Sequence, residues 1–525
     1  MAISAVPFSN PVARPVNKWA VAVAVAVGAL LEVIDMSIVN VALPQIQNSL
    51  GATLEEVGWV VSSYAIANVI ILPLAAWLGH RFGKKRYFIF SLVGFTLASI
   101  LCGMATSFPM LVIARVLQGL AGGGLLAKAQ GILFETFPRE EQGMAQGFFG
   151  AIVIAGPTIG PTLGGYLVTN VDWRWIFFIN LPVGIAAVFL NLSALPPDPE
   201  VKDHSSIDFF SILLLAVGLG SLQTLLEEGN SKDWFDSSFI TTLSVSALVG
   251  LSVFVYRQLQ SPRPVVDFRI LRYRSLWAGS VLSVIVGMAL FGALFSVPLF
   301  AQTMLGFTSE QTGYLLLPGA LASAVAMPIA ARILRSVDPR VALVAGALIM
   351  VFAIELLAQL TPQTGSDQFF LPLIIRSFGQ VLMFLPLSLA TLGPIPKEDI
   401  AAASGFYSLT RQLGGSIGVA LLTTLLSQRQ AFHRNVLIEH LAATDPFVLE
   451  RLSAFRNLFA SKGFSAEDAQ KKALLILDHS VGVQSMVMSF ADTFTATGLL
   501  ILAFLPLVLL LGKGQTKQAP AEAAH

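Results

Sequence analysis

Apolar residues run along this chain in blocks of roughly 20 or more, separated by short polar segments, where a soluble helix or strand would alternate with a fixed period. A window of about 19 residues finds these blocks near 19–42, 57–78, 87–105, 109–134, 144–168, 175–195, 207–226, 239–259, 276–301, 312–331, 341–360, 369–392, 400–427 and 486–511. The pattern predicts an all-α polytopic membrane protein with fourteen spans. An even number puts both termini on one side. Basic residues choose that side: short loops after even-numbered spans carry Arg81 and Lys84 to Arg86, then five arginines between Arg257 and Arg274, then Arg332, Arg335 and Arg340. Short loops after odd-numbered spans carry only Arg174 and Lys232, so both termini are predicted to be cytoplasmic. Arg14 and Lys18 precede the first block, which reaches Glu32 and Asp35 without a small-residue cleavage site and reads as an uncleaved span. The segment 428–484 is placed outside, as a periplasmic loop, because long loops escape the charge rule. Its amphipathic pattern predicts short helices projecting from the membrane.

Composition agrees, with 55% hydrophobic and 12% charged residues and a mean hydropathy of +0.75, against roughly 25% charged in soluble domains. The single cysteine, Cys102, rules out a disulfide within the chain and argues against a metal cluster. Six histidines with no H-E-x-x-H spacing argue against a membrane-embedded enzyme. Gly122-Gly123-Gly124 lacks a following Gly-Lys-Ser/Thr, so ATP is not the direct energy source. No metal, cofactor or nucleic acid is expected; a proton gradient is.

The chain also repeats itself. Ile113-Ala114-Arg115-Val116-Leu117-Gln118-Gly119 is echoed by Ile374-Ile375-Arg376-Ser377-Phe378-Gly379-Gln380, and each is followed by a glycine-rich span, Gly156 to Gly165 and Gly414 to Gly418. This spacing predicts two parallel six-helix halves, 1–195 and 271–511, with two inserted helices in 196–270 and a cytoplasmic tail at 512–525.

Ionisable residues inside the spans each cost roughly 2.5–3.5 kcal/mol at a helix centre and persist only with a partner or a water-filled cavity. The candidates are Glu32, Asp35, Arg115, Lys128, Glu355, Arg376, Arg411 and Asp492. Glu32 and Asp35 lie three residues apart on nearly one helix face, and two carboxylates so placed would not both ionise easily, as a proton carrier requires. The alternative is a structural ion pair between Asp35 and a cation such as Arg115. Lys128 has three readings: binding an anionic substrate group, pairing with Glu32 or Asp35, or reaching the interface. The predicted substrate cavity takes Tyr64, Gln118, Lys128, Phe291, Phe295, Arg376 and Tyr407. Trp19, Trp173, Trp175, Trp234 and Trp277, near span ends, read as interfacial anchors.

In the run Ala155 to Leu167, AGPTIGPTLGGYL, the glycines Gly156, Gly160 and Gly164 recur every four residues and form a smooth stripe for close helix packing, beside Gly165. Pro157 and Pro161 each remove an intrahelical hydrogen bond, so the helix is predicted to be kinked and tightly packed. This string resembles the antiporter motif of drug exporters of the major facilitator superfamily, and WRWIFFINLPVG, Trp173 to Gly184, is similar to its fourteen-helix drug:proton antiporter branch, the EmrB/QacA type. LGHRFGKKR, with Arg81, Gly83 and Lys84, resembles the superfamily's loop between helices 2 and 3, although His80 stands where aspartate is usual. Asp35 within LEVIDMSIVNVALP, Arg115, Arg411 within LTRQLGG and Asp492 within ADTF match further motifs. The resemblance covers nearly the whole chain. It implies a major facilitator fold in the inner membrane and proton-coupled efflux of lipophilic or amphipathic toxic compounds by alternating access, with Asp35, Glu32 and Arg115 in coupling. Export of one metabolite, such as a fatty acid or siderophore, is the alternative. The segment Arg429 to Arg434 is similar to EmrB-type exporters, which implies a periplasmic membrane-fusion adaptor and a TolC-type outer-membrane channel as partners.

Overall fold

The computed structural model describes residues 17–198, 208–441 and 445–511, and these contain helices and turns without a strand. In chain order the helices are α1 (Lys18–Leu50), α2 (Trp59–Phe82, with a 3-10 turn at Leu72–Leu74), α3 (Lys84–Gly103), α4 (Phe108–Thr136), α5 (Arg139–Asn170), α6 (Trp175–Ala194), α7 (Phe209–Glu228) and α8 (Ser238–Gln260). They continue with α9 (Arg274–Met304), α10 (Ser309–Ile333), α11 (Pro339–Ala358), α12 (Phe370–Leu392), α13 (Ile400–Glu439), α14 (Pro446–Ser461) and α15 (Ala466–Phe504). Among the described residues, twelve helices are long and apolar enough to cross a membrane. The expected fourteen exceed this by α5 and α13, which are 32 and 40 residues long and pack lengthwise against α1 and α9.

Glycine shapes these packings. A methyl group on Gly156 would lie 2.5 Å from Val33, one on Gly164 would lie 2.7 Å from Ile38, and one on Gly160 would run into Ser37, so the stripe lets α5 meet α1 nearly backbone to backbone. The helix passes through Pro157 and Pro161 as one continuous element, so the predicted kink does not interrupt it. The interruption falls in α4 instead, where Gly124 adopts a left-handed φ of 73° and splits the span into Phe108–Gly122 and Leu125–Thr136.

The two groups of helices, α1–α6 and α9–α15, meet along α5 and α10. Gly147 faces Met327 and Ala331 near one end of this seam, and Gly165 faces Glu310 near the other. At the basic end, carrying Arg81 to Arg86, further contacts close the gap: Gln130 donates to Ser388 at 2.8 Å, Ser404 to the Ala127 carbonyl at 2.6 Å, and Lys397 to the Glu135 carbonyl at 2.8 Å. The same end gathers Lys18 with Glu141, Arg272 with Asp399, and Arg274 with the Leu510 carbonyl, so the first and last described helices share it. Toward the opposite end, successive turns of α1 become accessible, from buried Glu32 through half-buried Met36 to exposed Asn40.

The inserted helix α7 is no peripheral addition. Gly220 faces Ile66 and Ile70 of α2, while Gln223 donates to Ser416 of α13 at 2.8 Å, so α7 bridges the two groups; α8 packs on its outer side through Gly218 and Gly250.

The stretch expected to be a loop over 428–484 is largely helical continuation. α13 runs on to Glu439 and the last span begins at Ala466 rather than near 486. The two extensions are tied by Arg429 and His433 to Asp492, and by Arg434 to Asp478 at 2.6 Å, with α14 packed on α15. The predicted tail at 512–525 lies outside the described residues.

Candidate buried charge network

Asp35 and Arg115 form a fully buried pair, with Arg115 Nη1 2.6 Å from Asp35 Oδ2. Span positions bring the partners together: Asp35 comes from α1, Arg115 and Gln118 from one turn of α4, Ser99 from α3 and Asn180 from the start of the long part of α6. Gln118 Nε2 and Asn180 Nδ2 donate to Asp35 Oδ1 at 2.8 and 3.1 Å, and Arg115 Nε donates to the Val60 carbonyl at 2.8 Å. Ser99 accepts from Gln118 and Asn180 and donates to the Phe177 carbonyl. Both carboxylate oxygens therefore have donors, the condition under which two buried charges are tolerated. The guanidinium also stacks 4.3 Å from the Tyr64 ring centroid.

Glu32 occupies a separate site. Its Oε1 accepts from Asn68 Nδ2 at 2.6 Å and its Oε2 from the Leu126 backbone N–H at 2.7 Å. Leu126 is the second residue of the half-helix beginning at Leu125, so the break at Gly124 presents a positively polarised helix end to a carboxylate on α1. The expected shared site for Glu32 and Asp35 is thus corrected: one rests on an arginine, the other on a helix terminus.

The predicted substrate cavity also needs revision. Gln118, Tyr64 and Tyr407 are at most 1% exposed, Gln118 and Tyr64 as parts of the Asp35 network and Tyr407 beneath Arg411. Arg376 is buried within α12. Lys128 turns toward α3, donating to Ser91 at 2.7 Å with its ammonium 4.2 Å from the Tyr87 ring centroid. No close ion pair joins it to Glu32 or Asp35, although its charge acts on Glu32 at longer range, and it does not reach freely to the interface. Phe291 packs by Gly415 and is half-buried, and Phe295 is exposed. Arg411, also buried, stacks over Phe384 and Tyr407. Glu355 is exposed. Trp173 is buried rather than interfacial, and Trp234 donates to Thr424.

At the basic end, Gly83 adopts a φ of 92°, and a side chain there would collide with Asp198. The Asp198 carboxylate accepts from the Lys85 and Arg86 backbone N–H groups at 2.8 and 3.0 Å, capping α3 from beyond α6. Lys85 Nζ meets the Leu192 and Leu195 carbonyls, Lys84 pairs with Glu135 at 2.7 Å, and Arg81 stacks on Trp77. Sequence reasoning missed Asp198, Asn68, Ser99 and Asn180. Asn68 and Asn180, polar residues set inside apolar runs, carried a readable signal; Asp198 had none, because its partner is more than 100 positions away.

Comparison with known proteins agrees with this architecture. Residues 25–419 match the model of the major facilitator superfamily. The chain is 32% identical over 86% of its length to the multidrug export protein EmrB of Escherichia coli K12, covering 90% of that protein, and 30% identical over 93% of its length to the fatty acid resistance protein FarB of Neisseria gonorrhoeae, covering 95% of that one. Among solved structures, the proton:xylose symporter XylE superposes with a TM-score of 0.59 at 13% identity, over 93% of this chain and 96% of its own, a likeness of fold alone. A buried cross-helix charge network within such a fold, together with relatives of this identity and coverage, identifies a multi-pass membrane transporter: the chain belongs to the major facilitator superfamily and, within it, to the EmrB-like permeases.

Proposed function

We propose that this permease exports lipophilic or amphipathic toxic compounds across the inner membrane in exchange for protons. The observation that carries the reading is the buried Asp35–Arg115 pair, bridging α1 and α4 where a change in helix packing would alter the carboxylate's partners. The names of relatives such as the multidrug export protein EmrB support the substrate class. Fourteen spans with both termini cytoplasmic fit the basic residues at the end shared by Lys18 and Leu510. Residues 1–195 and 271–511 would then rock as halves about a central cleft, with the inserted helices of 196–270 between them, and closure at the basic end with accessible Asn40 at the other describes the outward-facing state. One proton crossing a potential of about 100 mV supplies roughly 2.3 kcal/mol, enough for more than a tenfold substrate gradient.

Asp35 is proposed as the coupling carboxylate and Arg115 as the group that sets its proton affinity, with Glu32 as a second acid. The α13–α15 extension is proposed to face a periplasmic adaptor and, through it, a TolC-type channel. The similarity to FarB favours a second reading, export of fatty acids. Accumulation assays in cells with and without the protein decide between them. Lower retention of several unrelated lipophilic drugs supports multidrug export; lower retention of long-chain fatty acids alone supports the second reading; unchanged retention of both contradicts export.

A further inference from the structure

The carboxylates of Glu32 and Asp35 on α1 and of Glu227 on α7 differ in how many donors they receive. Asp35 has three and Glu32 has two, at least one on each oxygen. Glu227, in the last turn of α7, has Gln223 Nε2 on Oε1 at 2.6 Å, while its Oε2 is enclosed and lacks a hydrogen-bond partner. Gln223, 1% exposed, shares that amide with Ser416 of α13 and leaves its own Oε1 equally unmatched. The Ser62 hydroxyl of α2 sits beside the carboxylate, and among the described residues no cation lies within ion-pair distance of it.

Glu227 is half-buried, but an anion whose one oxygen is sealed from solvent without a hydrogen bond is costly, whereas a proton on that oxygen removes the charge and can be donated toward the adjacent Ser62 hydroxyl. The groups facing Glu227 sharpen this. Its own helix adds Glu228, a like charge; α2 presents Ser62 and, farther along, Tyr64, which lies under Arg115; α13 presents Ser416, with Arg411 five residues toward the basic end and stacked on Tyr407 and Phe384. On α8, Arg257 is held by Asp208 at the basic end, and Lys232 follows in the turn after α7. None of these supplies the missing charge.

We infer that Glu227 is a proton-binding residue, protonated through Oε2 in this conformation and hydrogen-bonded across the seam that α7 makes with α2 and α13. Because Ser62 lies on α2 while Gln223 ties Glu227 to Ser416 of α13, movement of α7 away from α2 and α13 removes the Ser62 hydroxyl and frees the Gln223 amide, admits water and favours release of the proton. The inserted helix thereby adds a proton site of its own to the carrier, an inference that rests on the proton-exchange reading and deepens it.

Infrared difference spectroscopy of the purified full-length protein in lipid, between neutral and alkaline pH, tests this. The wild type is expected to show the carbonyl absorption of a protonated carboxyl at neutral pH, lost in Glu227→Gln and retained in Glu32→Gln. Should Glu227→Gln fail to assemble, Ser62→Ala is expected to shift the same band by removing the neighbouring hydroxyl. A wild type without the band, a band that survives Glu227→Gln, or one unmoved by Ser62→Ala overturns the inference. Wild-type vesicles that show the band but fail to exchange drug for protons would sink the exporter reading and leave the protonated site standing.

Discussion

At the scale of single residues, geometry distinguishes charge from shape. Arg115 reaches the Val60 carbonyl through Nε and both Asp35 and Gln118 through Nη1, a fork that a lysine ammonium cannot reproduce. Arg115→Lys should therefore lose most proton-driven transport, by about tenfold or more, although the positive charge is kept; efflux near the wild-type rate would show that charge alone suffices. Glu32→Ala leaves the buried Asn68 amide and the Leu126 N–H without an acceptor, at a cost on the order of 1–3 kcal/mol for each orphaned group. Thermal unfolding in detergent should shift to lower temperature, and an unchanged midpoint would contradict the helix-capping role of Glu32. The sequence made Asp35, Glu32 and Arg115 stand out because charge in an apolar run is visible without a fold. It left open which groups they meet, since Asn180 and Ser99 come from two other elements and Leu126 from the second half of α4, beyond its break.

At the scale of elements, small residues decide where helices touch. The four-residue spacing of Gly156, Gly160 and Gly164 made the packed face of α5 legible, and the structure adds that the partner is α1. A leucine at Gly160 would have to displace Ser37 and Ile38, so Gly160→Leu should reduce export several-fold at equal expression. Unchanged export would count against the close packing. The break in α4 was less legible: Gly122-Gly123-Gly124 could be read only as a glycine run inside a span, because a left-handed residue depends on what surrounds it. The extent of α13 and α15 was misread for a related reason. A hydropathy window stops where polar residues begin, whereas a helix continues if neighbouring helices hold it, here through Arg434 with Asp478 and Asp492 with Arg429 and His433. Inserted helix α7 was visible as an apolar block, but its bridging position was not, and Glu227 fell just beyond the predicted end at 226.

At the scale of the whole molecule, two helical groups are joined along α5 and α10, closed at the basic end and bridged by α7, with an extension built from α13, α14 and α15. If that extension docks a periplasmic adaptor, deleting α14, 446–461, should preserve transport in reconstituted vesicles, where no second membrane exists, and impair drug resistance in cells. Equal loss in both assays would assign α14 to the transporter's own fold, and no loss in either would contradict docking through it. The central claim is that a buried carboxylate couples proton entry to substrate exit, and Asp35 is the group on which it turns. The most direct test is drug transport in proteoliposomes under an imposed pH gradient, comparing the wild type with Asp35→Asn at matched insertion. The account predicts uphill transport by the wild type and none by Asp35→Asn, with substrate binding retained; uphill transport by Asp35→Asn at the wild-type rate would contradict it.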